Sequence, residues 1–251
     1  VFARVTHDGV EDVVAIEEPL EIRVDGAALA VTMRTPGHDE DLALGFLHGE
    51  GLIDRDAGRA AGLTEDFANN IIEVAGPLRG AVPTRRFYTT SSCGICGRGA
   101  LEEVAVHSAP LDTDPLEPVI ARALAAELPT RLQQPTFERT GGTHGTGLFT
   151  DAGELVVCRE DVGRHNAMDK VIGYALRAGA LPLSGHVLCV SGRLSFELVQ
   201  KAAVAGCPIL IGVGAPSSLA VSLAEDRGIT LCGFARRGRL NVYTWPGRIE
   251  G

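Results

Sequence analysis

Two thiols set two residues apart are the groups of this chain best suited to chemistry. Cys93 and Cys96 lie in the stretch Thr89-Thr90-Ser91-Ser92-Cys93-Gly94-Ile95-Cys96-Gly97-Arg98-Gly99, and a pair at that spacing can attack, carry and resolve sulfur species. The thiolate is the nucleophilic form, and Arg98 together with a helix start at Ala100 would favour it. Gly94, Gly97 and Gly99 give the segment the backbone freedom of a mobile loop. Structural zinc ordinarily draws on a second ligand pair, and the chain holds no other Cys-x-x-Cys and no pair of histidines at zinc-finger spacing. A thioredoxin-like pair would open a helix inside a βαβ unit, which so glycine-dense a surrounding fits poorly. Persulfide carriage suits a flexible loop better. A zinc-deaminase pattern is the sharper rival, since His48-Gly49-Glu50 precedes Ser92-Cys93-Gly94-Ile95-Cys96. Against it, Ser92 stands where that pattern has proline, and His48 is expected at the carboxyl end of a helix, where its ordinary role is to cap exposed carbonyls.

Five further segments could contribute to a polar or anion-binding site. Gly141-Gly142-Thr143-His144-Gly145-Thr146-Gly147 is rich in unobstructed backbone donors, as an anion nest would be, or else is a tight glycine turn. It lacks the Lys-Ser/Thr ending of a P-loop. Arg159 to Lys170 gathers charged and imidazole side chains, among them Arg164 and His165, at an expected strand-to-helix junction. His165 and Asp169 fall on one helix face, so the carboxylate could orient the imidazole. The plainer reading is a solvated helix start. Ser191-Gly192-Arg193-Leu194-Ser195 and Gly212-Val213-Gly214-Ala215-Pro216-Ser217 each follow an apolar strand and open a helix, and both could present N–H groups to phosphate. The second matches a dinucleotide fingerprint only halfway, because Pro216 and Ser217 intrude, so an NAD site is discounted. Phe234-Ala235-Arg236-Arg237-Gly238-Arg239 concentrates three arginines beside an aromatic that could stack on a base, which suggests a polyanionic small molecule or, more plainly, a basic surface turn.

These groups sit on an acidic chain of 251 residues with a formal net charge of −9. Such a surface repels nucleic acid and anionic membrane, and neither is an expected partner. No apolar run approaches the roughly 18 residues of a membrane helix and no leader pattern opens the chain, which therefore reads as cytoplasmic. The six cysteines form one close pair only, so they make no disulfide framework. Only Lys170 and Lys201 are lysines, so arguments for anion binding must rest on where the arginines lie.

The elements that must position these groups follow from pattern. Strands at 20–24 and 27–33 flank the turn pair Asp25-Gly26, a helix spans 39–48, and strands are expected at 71–74 and 86–90, the last running into the cysteine pair. Three prolines between Ser108 and Pro118 mark a boundary, which divides the chain into 1–110, a β-rich region carrying the cysteine loop, and 111–251, an α/β domain. A helix is expected over 119–128. Beyond it, strands at 146–150, 154–158, 186–190, 208–213, 229–232 and 240–244 alternate with helices at 163–178, 194–205 and 217–226, which predicts a layered α/β sheet with parallel crossovers. Such sheets bind ligands at the carboxyl ends of their strands.

Taken in order, six segments resemble the FdhD family: Gly45 to Ile53, the Cys-Gly-x-Cys-Gly loop, Gly-Gly-Thr-His at 141–144, Glu-Asp-Val-Gly-Arg-His-Asn-Ala-x-Asp-Lys at 160–170, Ser-Gly-Arg-x-Ser at 191–195, and Gly-Phe-Ala-Arg-x-x-Arg at 233–239. The resemblance implies a cytidine-deaminase-like fold without deaminase chemistry, and a homodimer. It further implies sulfur received from a cysteine desulfurase and delivered to a guanine-dinucleotide molybdenum cofactor, Mo-bis(molybdopterin guanine dinucleotide), for formate dehydrogenase. Carried over by motif, Cys93 would hold the persulfide with Cys96 as its partner, and Phe234 to Arg239 would contact the cofactor. The phosphates and guanines are expected over the turns at Gly142, Ser191 and Gly214. A nucleoside deaminase and a non-catalytic cofactor chaperone remain the alternatives.

Overall fold

The computed structural model describes residues 1–55, 59–64, 70–79, 87–89, 110–111 and 117–251, with the backbone alone at 87–89. The Cys93–Cys96 loop and most of the proline-rich boundary lie outside the described residues.

The chain opens on a hairpin, β1 (Phe2–His7) and β2 (Val10–Ala15), absent from the sequence reading. Its turn is Asp8-Gly9 with both φ angles positive, at 49° and 79°, the same device that Asp25-Gly26 uses between β3 (Glu18–Val24) and β4 (Ala27–Arg34). Two consecutive positive φ angles match the twist of the flanking strands. β3 and β4 form the middle of a five-stranded sheet completed by β5 (Ala61–Leu63), β6 (Ile71–Val74) and β7 (Phe87–Thr89), in the order β5-β6-β3-β4-β7.

A second, six-stranded sheet holds β9 (His144–Thr150), β10 (Leu155–Asp161), β11 (His186–Val190), β12 (Ile209–Gly212), β13 (Thr230–Arg236) and β14 (Arg239–Val242), in the order β10-β9-β11-β12-β13-β14. The expected layered α/β architecture is thus present. The pairing is mixed rather than wholly parallel, however: β11-β12-β13 run parallel, while β9, β10 and β14 enter through tight connections and pair antiparallel. Alternate residues feed two cores. Leu148, Leu188, Leu210 and Leu231 face the helices α4 (Arg164–Arg177), α5 (Phe196–Val204) and α6 (Ser218–Arg227). Phe149, Val187, Ile209 and Cys232 face the other way, toward Ile120, Ala125 and Leu128. The segment expected as one helix over 119–128 is a short strand β8 (Ile120–Ala121), the helix α2 (Arg122–Glu127) and a 3-10 turn, and a short helix α3 (Pro135–Thr140) follows. β8 is extended because it pairs with β15 (Ile249–Glu250).

The two sheets are joined through α1 (Asp39–Gly49), which packs its apolar side on the five-stranded sheet and its glycine on α4. A Cβ at Gly45 would overlap the carbonyl oxygen of Asp169, and one at Gly173 would overlap that of Asp41, so the two helix backbones touch. Next to this crossing, the end of β4 is stitched to the β10–α4 turn. Asp161, fully buried, accepts from the Thr35 amide at 3.1 Å and the Asn166 side chain at 3.1 Å, and pairs with Lys170 at 2.7 Å. Lys170 also donates to the Thr35 carbonyl at 2.8 Å, and Asn166 to that of Met33 at 2.7 Å. Lys170→Met leaves the buried Asp161 carboxyl without its cation, and is expected to destabilise the protein by about 3–5 kcal/mol. A urea titration showing less than about 1 kcal/mol of loss would contradict this pairing.

Candidate functional site

One edge of the six-stranded sheet collects the segments singled out by sequence. β10, β11, β12 and β13 end there, and β9 starts there because it is antiparallel to both neighbours, with His144 opposite Asp161 and Thr146 opposite Val190. The turns at that edge are hydrogen-bonded side by side. The Ser191 amide donates to the Gly145 carbonyl and the Gly145 amide to Ser191 Oγ, each at 2.9 Å. The Gly214 amide donates to the Gly192 carbonyl at 2.9 Å, and the Phe234 amide to the Gly214 carbonyl at 3.1 Å. Gly214 is required by this closeness, since a Cβ there would stand 3.0 Å from the Arg193 Cα. Two helices open at the edge without a side-chain cap, α4 after Gly163 and α5 after Ser195. Their first amides carry the positive end of the helix dipole toward the edge.

The side chains make the edge cationic in a protein that is acidic overall. Arg164, Arg193, Arg236, Arg237 and Arg239 come from three of these turns. Arg164 Nε is buried without a hydrogen-bond partner among the described residues. His144 is half-buried, and its pKa is lowered first by that burial and then by the charges of Arg164 and His165. Asp161 and Glu197 are the carboxylates that the described edge turns and the first turn of α5 supply, and each has its own cation or imidazole. His165 Nε2 lies 3.2 Å from Ser195 Oγ and 3.7 Å from a Glu197 carboxylate oxygen. The neighbouring His165 is the chief reason that the Glu197 carboxyl is held down to about 2, against the opposing effect of burial and with Ser195 acting in the same direction as His165. Phe234 is a bulky residue at φ 55°, in the left-handed region, and is exposed. Strain of this kind persists where the surroundings enforce it and is concentrated at ligand sites. The bulge it forms is held by Gly214, and Arg237-Gly238 then turns the chain so that Arg236 and Arg239 stand opposite each other.

The structure therefore brings His144, Arg164, His165, Ser191, Gly192, Arg193, Gly214, Phe234, Arg236, Arg237, Gly238 and Arg239 to one edge. Other expected contributors are engaged elsewhere. The Gly142 amide is taken by Thr140 Oγ1 at 3.1 Å, and the buried Thr143 hydroxyl donates to Glu160 at 2.8 Å. The Ala235 side chain is buried in the core on the far face of the sheet. The expected orientation of His165 by Asp169 is not what the structure shows. Asp169 turns inward to the buried Lys201 at 2.8 Å, and Glu197 with Ser195 meets the imidazole instead. Burial alone would depress Lys201, but Asp169 and Glu50 hold its pKa above the usual lysine value. Glu197 was not singled out from sequence, although Ser195 and Glu197 at a helix start carry the signal of residues placed to face the preceding turn.

At the carboxyl end of α1 the helix carbonyls receive backbone amides, Glu50 N to Phe46 and Gly51 N to His48, so His48 is not the cap that was expected. It is buried, which lowers its pKa, while Glu50 lies 3.8 Å from Lys201. Among the described residues no group of three or more His, Cys, Asp or Glu is arranged to hold a metal ion. Cys189, Cys207 and Cys232 are buried and Cys158 half-buried. Burial raises all four thiols, Cys158 to about 11 and Cys207 and Cys232 to about 12, so they are poor nucleophiles at neutral pH. No helix among the described residues is long and apolar enough to cross a membrane.

Fold and site together define a layered α/β protein with a cationic sheet edge. The chain belongs to the FdhD/NarQ family, whose model matches residues 15–250. It is 50% identical to the sulfur carrier protein FdhD of Streptomyces avermitilis over 252 residues, covering 95% of this chain and 89% of that protein. It is 46% identical to the protein of that name from Mycobacterium tuberculosis, covering 95% and 92% of the two chains. A crystal structure from Desulfotalea psychrophila, provisionally described as a formate dehydrogenase accessory protein, superposes with a TM-score of 0.77 at 28% identity and covers 99% of this chain and 98% of its own.

Proposed function

We propose that this protein is a sulfurtransferase that carries sulfur as a cysteine persulfide to a guanine-dinucleotide molybdenum cofactor before formate dehydrogenase receives it. The observation that carries the cofactor half is the sheet edge. Five arginines, two imidazoles and two uncapped helix starts converge there beside an exposed, strained Phe234, and the carboxylates of Asp161 and Glu197 are already engaged by Lys170 and His165. Guanidinium forks and backbone amides suit pyrophosphate, and an aromatic face suits a purine. The close approach of Gly214 to Arg193 holds two of these turns side by side. The cofactor is cargo here, bound and handed on.

The sulfur half rests on the thiols and on the named relatives. Of the six cysteines, the four described ones have raised thiols, which leaves Cys93 and Cys96 as the candidates for carriage. The described chain also leads toward the site from their side. β7 ends at Thr89 in register with Thr32, whose hydroxyl bonds Asn166 on the first turn of α4, and Cys93 follows four residues later. In the reaction, the Cys93 thiolate attacks the terminal sulfur of a persulfide on a cysteine desulfurase, and the donor leaves as its own thiolate. Cys96 then attacks the inner sulfur of the Cys93 persulfide. The outer sulfur departs at the sulfide level, and the resulting disulfide is reopened by a thiol reductant. On this reading residues 1–110 carry the sulfur loop and residues 111–251 bind the cofactor, in a cytoplasmic homodimer.

Charge reversal of Arg236 and Arg239 together tests the edge. Isothermal titration with GDP, as a probe for half of the dinucleotide, is expected to show about a hundredfold weaker binding in Arg236→Glu/Arg239→Glu, since each lost phosphate contact counts for about tenfold. Unchanged affinity would remove these residues from the site.

A further inference from the structure

We propose that β14 is the rail along which the nucleotide end of the ligand lies, with Arg239 and Arg236 on the phosphates, Asn241 on the ribose and Tyr243 on the guanine. This rests on the reading of the sheet edge as the cofactor site. β14 is the last strand of its sheet, and its side chains alternate between buried and exposed. Leu240 and Val242 turn into the core that holds Ile120 and Phe149. Arg239, Asn241 and Tyr243, at every second position, therefore share the opposite face, and all three are exposed. The backbone keeps Tyr243 in this row, since its amide donates at 2.9 Å to the carbonyl of Leu231, a residue of the helix-side core.

β13 supplies the other half of this face. Its pairing with β14 slips between Gly233, which lies opposite Asn241, and Arg236, which lies opposite Arg239. Cys232 and Ala235 both enter the same core, so the two residues between them, Gly233 and Phe234, form a bulge on the other face. There the Tyr243 ring lies against Gly233, where a Cβ would stand 3.1 Å from Tyr243 Cε2 and 3.0 Å from both Pro216 Cδ and the Gly214 carbonyl oxygen. Phe234, next in the chain, is exposed and held at φ 55°. A base placed here meets two aromatics with only a glycine between them. At the other end Arg236 and Arg239 stand directly across from each other, a like-charge pair that costs stability unless an anion lies between them. A strand rises about 3.4 Å per residue, so Arg239 and Tyr243 are roughly 13 Å apart along β14, with Asn241 midway. That span is comparable to an extended nucleoside diphosphate, and its order of phosphate, sugar and base is the order of guanidinium, amide and aromatic along the strand.

Isothermal titration of the full chain with GDP and with inorganic pyrophosphate separates the two ends of the rail, because pyrophosphate has no base to stack. Tyr243→Leu is expected to bind GDP about tenfold more weakly, as loss of a base-to-aromatic stack does, and pyrophosphate within about twofold of wild type. Tyr243→Phe should keep GDP affinity within about twofold, since the ring rather than the hydroxyl makes the contact. Asn241→Ala should weaken GDP severalfold and leave 2′,3′-dideoxy-GDP unchanged, because that analogue lacks the hydroxyls that the amide would bond. Tyr243→Leu with wild-type GDP affinity overturns the proposal while leaving the sheet-edge reading intact. So does an equal loss of GDP and pyrophosphate in that variant, which is what a merely structural role for Tyr243 would produce. An Asn241→Ala protein that treats the two nucleotides alike overturns the ribose assignment. A wild-type protein that binds neither GDP nor pyrophosphate overturns the sheet-edge reading and this proposal with it.

Discussion

Gly173→Ala and Gly45→Ala are each expected to destabilise the protein by about 3 kcal/mol or more. At both positions the new methyl group would meet a backbone carbonyl of the facing helix, Asp41 for Gly173 and Asp169 for Gly45, rather than a side chain able to rotate away. The overlap can be relieved only by parting α1 from α4. That movement also disturbs the buried bonds of Thr35 and Asn166 that tie β4 to the start of α4, so the sheet edge should lose its shape as well. Denaturant titration measures the loss, and Gly62→Ala supplies the control, because a Cβ there meets open space and the change should stay within about 0.5 kcal/mol. A Gly173→Ala protein as stable as the control would mean that the helices do not cross as described.

Cys93→Ala is expected to abolish sulfur transfer while leaving GDP binding within about twofold of wild type, since the thiol and the nucleotide site are separate in the chain. Cys96→Ala should load sulfur in a single turnover but fail to release it repeatedly, because the outer sulfur then lacks the neighbouring thiol that displaces it. The two variants thus separate loading from turnover, measured as persulfide formed per protein and as formate dehydrogenase activated over time. Loading at Cys96 with full activation in the Cys93→Ala protein would reverse the order of the thiols. Activation by the double variant would end the case for carriage by this loop.

Much of this was legible from residue order because strand and helix leave different periods. The strands between 146 and 244 alternate with helices along the chain, which made the α/β layer legible, whereas the sending of Leu148 and Phe149, or Leu188 and Cys189, to two different cores is seen only in the fold. The Asp-Gly turn at 25–26 was legible for the reason it exists, and the same pair at 8–9 was overlooked because Val5, Val10 and Val14 stay exposed, so β1 and β2 lack the buried stripe that marks a strand. β8 was hidden for the opposite reason. Two residues next to a helical run are extended only because β15, over 120 residues later, pairs with them.

At the site, the turns could be found from glycine, serine and arginine clusters, but not their partners. Sequence spacing offered Asp169 to His165, four residues along one helix. The packing of α5 on α4 instead aligned His165 with Glu197 and Asp169 with Lys201. Ala235 was drawn in by its neighbours, although strand alternation sends its side chain to the far core while Phe234 and Arg236 face out. A contiguous motif does not resolve into faces until the strand direction is known.

Carriage of sulfur as a persulfide at Cys93 would leave a direct signature in mass. Mass spectrometry of the intact protein and of its proteolytic fragments, after incubation with a cysteine desulfurase, its pyridoxal cofactor and free cysteine, tests it most directly. Expected is an increment of one sulfur atom on the fragment containing Cys93 and Cys96, assigned to Cys93, removed by a thiol reductant and absent from Cys93→Ala. A fragment that never gains mass, or sulfur that appears instead on Cys158, Cys189, Cys207 or Cys232, would contradict it.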